Sequence, residues 1–382
     1  MSITTTVAIA GAGIGGLTAA LALQQRGFEV VVLESAHELR PLGVGINLLP
    51  HAVRELDHLG LGDAVGDASV APTAIRFYSA DGTLLFTEPR GLAAGDTHPQ
   101  LSIHRGRLQM LLLAAVRERL GADAVRTGAR VSGFHDDGSR VVVRTDAGDV
   151  RADVLVGADG IGSVVRAALH PGPDPLRFSG ITMFRGAGRM AAFLDGHTMA
   201  IVKGDRGDQG VDLVTYPIAP DLVNWVVQVP QSAPTSAGWN TPASAADVLP
   251  HVAGWRLDWL DVDSLIGSTP QIFTYPMVDK DPVRQWGRGG RVTLLGDAAH
   301  PMYPVGANGG SQAVVDARVL ADHLAEAGVR GLRTYEAERA DETAAVIVAN
   351  REMHRAANTR SATELDRVTR KYRTDTARST RA

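Results

Sequence analysis

The hydrophobic positions of this chain fall into short blocks with recognisable periods. Thr6–Ala10 is a compact apolar run suited to a β-strand. Leu17–Gln25 has helical character and Gly27 stops it; Glu29–Leu33 is a second strand, apolar after its first residue. Strand, helix, strand at the start predicts a parallel sheet. Leu108–Leu120 reads as a helix apolar on two faces, hence buried. Val141–Thr145 and Val150–Val156 read as strands around a turn at Asp146–Gly148. From Leu176 to Pro230 the pattern turns β-rich, with Gly, Pro and aromatics, and Asn240–Ser268 is mixed. Val292–Leu295 is a buried strand leading into Gly296–Asp297, and Ser311–Ala327 and Arg333–Arg355 are helical. No repeat of 20–50 residues is present.

Nucleotide-type α/β signals therefore occur at the start, near 150–166 and near 290–330, with β-rich material between them. The expected fold class is α/β: a Rossmann-like nucleotide-binding domain, an interleaved β-sheet substrate domain and C-terminal helices. The boundaries are drawn at 1–75, 100–176 and 277–350 for the first, 76–99 and 177–276 for the second, and 351–382 for a C-terminal helix and basic tail. A length of 382 residues by itself suggests two to three domains in succession. The order of the signals makes them interleaved instead.

Composition removes several chemistries. There is no cysteine, which excludes disulfides, thiolate metal sites and a cysteine nucleophile; no metal site is expected. Only Lys203, Lys280 and Lys371 could form a Schiff base. A net charge of −4 argues against a basic nucleic-acid binder. The tail from Arg351 to Ala382 carries nine Lys/Arg against four Asp/Glu, which suits a solvated helix with a frayed end. Val7–Leu23 is small and apolar, but it lacks a basic flank and is broken by glycines at 11, 13, 15 and 16, so it is read as a turn and not as a targeting segment. A cytoplasmic protein is the expectation, with neither membrane nor nucleic acid as partner.

Gly11, Gly13 and Gly16 form G-x-G-x-x-G between strand and helix. The first glycine permits the tight turn, the second lets the backbone approach a pyrophosphate, and the third allows helix and strand to pack closely. The helix N-terminus then offers free N–H groups to the phosphates. Glu34 ends the second strand, where a carboxylate can hold ribose hydroxyls and repel a 2′-phosphate. This leaves FAD and NAD both open. Asp159–Gly160, with Arg166 after it, and Gly296–Asp297, with Pro304, Gly306, Gly309 and Gly310 after it, each place an aspartate just past a buried strand. Such carboxylates can bind a ribityl-like chain in the crevice, or simply cap the next helix.

With these motifs in order, and with Ser102-Ile-His-Arg105-Gly-Arg-Leu108 between them, the chain resembles the class A FAD-dependent aromatic monooxygenases, from about Val7 to Asn350. Within that family, Leu39–Asn47 including Arg40, Gly180–Gly186, Tyr275–Asp279 and Gly306–Gly309 look like the branch that modifies phenazines, with salicylate hydroxylase a looser relative. The resemblance implies FAD as cofactor, NADH or NADPH as transient co-substrate, O2, and hydroxylation through a C4a-hydroperoxyflavin. The substrate would be a phenazine- or salicylate-like carboxylic acid, and decarboxylation could accompany hydroxylation. It implies that Arg40 and Arg105 contact FAD, Glu34 holds the adenosine ribose, Asp297 the ribityl chain, and Pro304 and Gly306–Gly310 with Asn308 flank the ring, while Asp159 serves FAD and NAD(P)H. No protein acid or base is then obligatory; His300 is the one weak candidate. Substrate contacts are expected from Phe184, Arg185, Tyr216, Trp225, Tyr275, Met302 and Tyr303, with Met183 beside them. The protein would work as a monomer or homodimer on a small aromatic. A halogenase or reductase of the same fold is the alternative, but Trp255-Arg-Leu-Asp-Trp259 does not match the halogenase motif. A non-catalytic FAD-binding regulator is the other.

Overall fold

The structure is a computed structural model that describes residues 5–204, 210–234, 240–356 and 362–376. The chain opens with β1 (Thr6–Ala10), α1 (Ile14–Gln25) and β2 (Glu29–Leu33). It then crosses to a different sheet for β3 (Ala74–Ser79) and β4 (Leu84–Pro89), and returns through α2 (Arg105–Leu120), β5 (Val125–Arg126), β6 (Val154–Gly157) and α3 (Val164–Leu169). Five strands come next in the second sheet: β7 (Arg177–Arg189), β8 (Thr198–Lys203), β9 (Asp212–Ala219), β10 (Leu222–Pro230) and β11 (Thr241–Ala243). β12 (Ile272–Asp279) completes that sheet. β13 (Val292–Leu294) rejoins the first, and α4 (Asn308–Ala327), α5 (Gly331–Ala356) and α6 (Ala362–Thr376) end the described chain.

The first sheet is parallel, in the order β13-β6-β1-β2-β5. β1 is central, so Val7, Ala8 and Ile9 are wholly buried and the strand reads as a continuous apolar run. α1 packs on it with Leu17, Leu21 and Leu23 at zero exposure. The second sheet has eight strands in the order β11-β12-β7-β10-β9-β8-β3-β4, all antiparallel except the β8–β3 pair. One face packs on the helices Ala245–Val252 and Val262–Gly267 through a core of Trp225, Val227, Leu265 and Ile266. The other face looks toward the carboxyl ends of the first sheet.

One expected strand is two. Val150–Ala152 belongs to a small antiparallel sheet and Val154–Gly157 to the parallel one. Asp153 separates them because its carboxylate turns back to accept the Thr6 N–H at 2.8 Å. No helix among the described residues is long and apolar enough to cross a membrane.

Candidate functional site

The glycine turn is built by contact, not by flexibility alone. Gly11 has φ +104°, and a Cβ there would lie 2.5 Å from the Ala158 carbonyl oxygen. A Cβ on Gly16 would strike the Gly11 carbonyl, so the third glycine is what lets α1 sit on β1. A Cβ on Gly13 would meet no protein atom within 4 Å. Gly13 faces open cavity, at the N-terminus of a helix with no side-chain cap and no acid in its first turn. Glu34 accepts the Ala12 and Ala36 N–H groups, both at 2.8 Å, and Gln109 on α2 donates to the Ala12 carbonyl at 2.8 Å. Gln109 has no motif to mark it; it lies one helical turn beyond Arg105.

Gly296–Asp297 is held from behind. Asp316 on α4 accepts the Gly296 N–H at 3.0 Å, His300 Nε2 at 2.6 Å and Arg339 Nε at 2.7 Å, with Asp316 and Arg339 fully buried. Burial alone would raise the Asp316 pKa, but His300 and Arg339 outweigh it and hold the carboxyl at about 2. A depressed carboxylate adds stability above its unfolded pKa, near 3.9, and loses it as pH falls toward 2. Urea midpoints of the native protein should therefore drop through that window. Asp316→Asn should start about 3–5 kcal/mol less stable and show a shallower fall, since it strands Arg339. His300 itself is 1% exposed, packs against Trp286 and does not line the cavity. Asp297 does line it. Enclosure by the protein pushes its carboxyl above the ordinary range, offset by His300 and Arg105.

Asp159 takes the capping role. It accepts Ser163 Oγ at 2.5 Å and the Val164 and Val165 N–H groups at 2.8 and 3.3 Å, starting α3. Arg166, also fully buried, donates to the Ala298 and Ala299 carbonyls at 3.2 and 2.7 Å and so fixes the turn after Asp297. Arg40 lies outside the cavity, two-thirds exposed and paired with Glu38.

The second sheet supplies the floor, and its register decides which residues reach it. One ladder row runs Tyr275–Met183–Gln228–Asp212–Lys203, and the next runs Phe273–Arg185–Val226–Val214–Ile201–Phe77. Every residue of both rows lines the cavity, together with Tyr216, Met199 and Ile75 at the same parity. Phe184 and Trp225 have the opposite parity, so the pleat sends them into the core behind the sheet. There Phe184 stacks on His251 and Trp225 Nε1 donates to Thr269 Oγ1 at 2.9 Å. Tyr303 is buried against His354 and donates to the Arg177 carbonyl at 3.3 Å, while its neighbour Met302 faces the cavity.

Arg185 is the unusual group on the floor. It has no carboxylate partner among the described residues; its contacts are the Gly45 carbonyl at 3.4 Å and the Tyr275 ring, 5.5 Å below the guanidinium. Its Nε is buried and unpartnered. Burial lowers its pKa, and Tyr216 and Tyr275 partly restore it. Burial pushes the Tyr216 phenol up to about 12, so it remains a donor at neutral pH. His51, on the opposite wall, is brought down to about 3 by burial and then by Arg339 and Arg54, which leaves it a neutral acceptor.

All this surrounds one cavity of about 1530 Å³, between the carboxyl ends of the parallel sheet and the eight-stranded floor. Gly13, Arg105, Asp297, Met302, Pro304, Gly306, Asn308 and Gly309 line one side; Arg185, Tyr216 and Tyr275 on the sheet line the other. Two uncapped helix N-termini, of α1 and α4, open into it. Both favour negative charge. Arg185 Nε, Arg90 Nε, His51 Nε2 and Asn308 Oδ1 are buried without partners on its wall. A glycine cradle, free helix dipoles, a carboxylate near one of them and unpaired donors and acceptors around an elongated space fit a dinucleotide with a flat ring beside it. Arg90 and His51 carry no motif, and only the fold brings them here.

The chain matches the FAD binding domain family over residues 4–350. It is 50% identical to the phenazine 1,6-dicarboxylic acid hydroxylase PhzS of Lysobacter antibioticus, over 91% of this chain and 89% of that protein. It is 33% identical to 3-hydroxybenzoate 6-hydroxylase 1 of Aquipseudomonas alcaligenes, over 89% of this chain and 86% of that one. Among solved structures it superposes on Klebsiella pneumoniae HpxO complexed with FAD and uric acid, with a TM-score of 0.80 and 25% identity, covering 97% of this chain and 93% of that one.

Proposed function

We propose that this chain, which belongs to the FAD binding domain family and is an FAD-dependent aromatic monooxygenase, acts on a flat polycyclic aromatic carboxylic acid of the phenazine class. The observation that carries this reading is Arg185, a cation on the cavity floor with no acidic partner among the described residues and a buried unpartnered Nε. A half-buried guanidinium without a counter-ion carries a desolvation cost, and a carboxylate brought in by substrate would complete it. The relative at 50% identity is a hydroxylase of a phenazine dicarboxylic acid, which supports the same class.

The residues that would hold FAD are Gly11, Gly13 and Gly16 with the α1 N-terminus for the pyrophosphate, Glu34 for the adenosine ribose, and Arg105 and Asp297 along the ribityl chain. Pro304, Gly306, Asn308 and Gly309 would border the ring. The chemistry that bound FAD supplies is uptake of a hydride from NAD(P)H and activation of O2. The overall change is aromatic C–H plus O2, NAD(P)H and a proton to phenol, water and NAD(P)+. Where the oxygen enters at a carboxylated carbon, the carboxyl leaves as CO2. Arg185 fixes the substrate's carboxylate and hence which carbon faces the ring site. The protonated Tyr216 can donate to a ring heteroatom or to the nascent phenolic oxygen. Met183, Phe273, Tyr275 and Met302 exclude water around the reacting ring. The division into an FAD part and a substrate part agrees with this, and is supported by which sheet each strand joins. A cytoplasmic setting fits the need for NAD(P)H.

The purified protein should be yellow, and phenazine carboxylic acids should accelerate NAD(P)H oxidation with matched oxygen uptake. Product masses separate a gain of one oxygen from its replacement of a carboxyl group. A yellow protein stimulated by neutral aromatics but by no aromatic acid would refute the substrate class.

A further inference from the structure

The basic C-terminal segment has no part in that chemistry. In the structure its first six residues end α5 and the rest of its described part is α6, of which two consecutive residues reach opposite sides of the cavity. Tyr372 goes to the turn Pro304–Asn308. Its hydroxyl accepts from Asn308 Nδ2, donates to Asn350 Oδ1 at 2.6 Å and lies 3.3 Å from the Val305 carbonyl. Asn350, on α5 and fully buried, donates in turn to the Tyr303 carbonyl at 3.2 Å. Arg373 goes to the sheet edge, where it meets Glu88 at 2.8 Å and the Pro89 carbonyl at 3.0 Å on β4. Val368, Thr369 and Thr376 face the cavity between these two anchors.

The turn itself is shaped around the phenol. Gly306 has φ +67°, and a Cβ on it would fall inside the van der Waals shell of the Tyr372 hydroxyl. Ala307 comes next with φ +61°, a left-handed conformation that costs a non-glycine residue energy and persists only when its surroundings impose it. The turn therefore has no intrinsic reason to keep this shape. Contacts that hold it come from Ser311 Oγ, which donates to the Ala307 carbonyl at 3.1 Å, and from Tyr372, which Asn350 holds in place.

We propose that Tyr372 is a positioning residue: through Asn308 and Asn350 it sets the shape of the Pro304–Asn308 turn, while Arg373 holds the same helix on the substrate sheet. α6 thus closes the cavity and fixes the edge against which the FAD ring is placed. Burial raises the pKa of the phenol, so it keeps its proton and can accept and donate at once.

This inference rests on reading that turn as the ring side of the FAD site. The test uses the FAD-loaded full chain and two readouts, the visible absorption and circular dichroism of the bound flavin, and peroxide formed per NAD(P)H consumed with a phenazine carboxylate present. Tyr372→Phe is expected to alter the flavin spectrum and lower the hydroxylated fraction about threefold to tenfold, the weight of one hydrogen bond. Asn350→Ser should shift both readouts the same way and serves if the first variant is poorly folded. Gly306→Ala should be worse than either, because its Cβ would meet two ring carbons of Tyr372 at 2.6 and 2.7 Å as well as the hydroxyl, at a φ of +67°. Arg370→Ala, on the outer face of α6, should behave as the native protein. A Tyr372→Phe protein with native spectrum and native peroxide yield overturns the proposal. A native protein that binds no FAD removes the site reading itself, whereas a yellow native protein indistinguishable from Tyr372→Phe removes only this inference.

Discussion

Gly13→Ala protein is expected to be as stable as the native apoprotein yet to lose most of its FAD, while Gly16→Val should lose both. The two glycines sit three residues apart in one motif, but different things limit them. A side chain at position 16 collides with the Gly11 carbonyl, so α1 must lift off β1. Overpacking of that kind costs about 1–3 kcal/mol and moves the helix N-terminus that would face the phosphates. At position 13 the backbone is extended, with φ −73° and ψ −179°, which alanine adopts freely, and no protein atom lies within 4 Å of the added carbon. The space is kept open on the cavity side. An alanine methyl there meets only what binds, and FAD affinity should fall roughly tenfold to a hundredfold. Thermal unfolding of the apoproteins and titration with FAD check the pair. Equal FAD affinity in Gly13→Ala and the native protein would mean that the pyrophosphate lies elsewhere.

The second large effect is expected at Arg185. Replacement by Met keeps most of the volume and removes the charge. On an aromatic carboxylate, kcat/KM should fall by about 2–5 kcal/mol, roughly thirtyfold to several thousandfold, because the substrate's charge is left buried without a partner. On the corresponding carboxamide the change should be small, and FAD should remain bound. The sign for stability is opposite. An arginine that lacks an acidic partner is a burden on the substrate-free protein, so Arg185→Met should melt at the same or a higher temperature. Activity falling on acid and amide alike would make Arg185 a support of the fold or of FAD and not the carboxylate anchor.

Much of the nucleotide side was legible because its features are local. Glycine spacing, a helix start and an acid at a strand end are all sequence intervals of a few residues, and Gly11, Gly13, Gly16 and Glu34 assemble one turn. Asp159 and Asp297 looked alike in sequence and differ in structure. Ser163 and two backbone N–H groups engage the first as a cap, whereas the second faces the cavity. That difference depends on the groups each strand end meets in three dimensions. The substrate side was legible as a composition but not as a surface. Phe184 and Arg185 are adjacent on one strand, so they cannot share a face, and period-two counting alone would have separated them. Choosing which of the two faces the cavity needed the partner strands. Asn350 and Tyr372 were invisible for a stronger reason: each meets its partners across folded elements far apart in the chain.

The strand order also sets a timetable. β1 and β2 leave the ribosome together, long before the rest of the sheet: β6, the other neighbour of β1, lies about 150 positions later and β13, beyond that, nearly 300. At roughly 5–20 residues per second, the parallel sheet waits tens of seconds for its last strand, and α6 arrives after that. Until then β1 and β2 present an apolar, half-paired template of the kind that recruits wrong partners. Chaperone dependence and inclusion-body formation should accordingly respond to translation speed between β6 and β13, and cofactor loading can begin only once β13 and α4 have emerged.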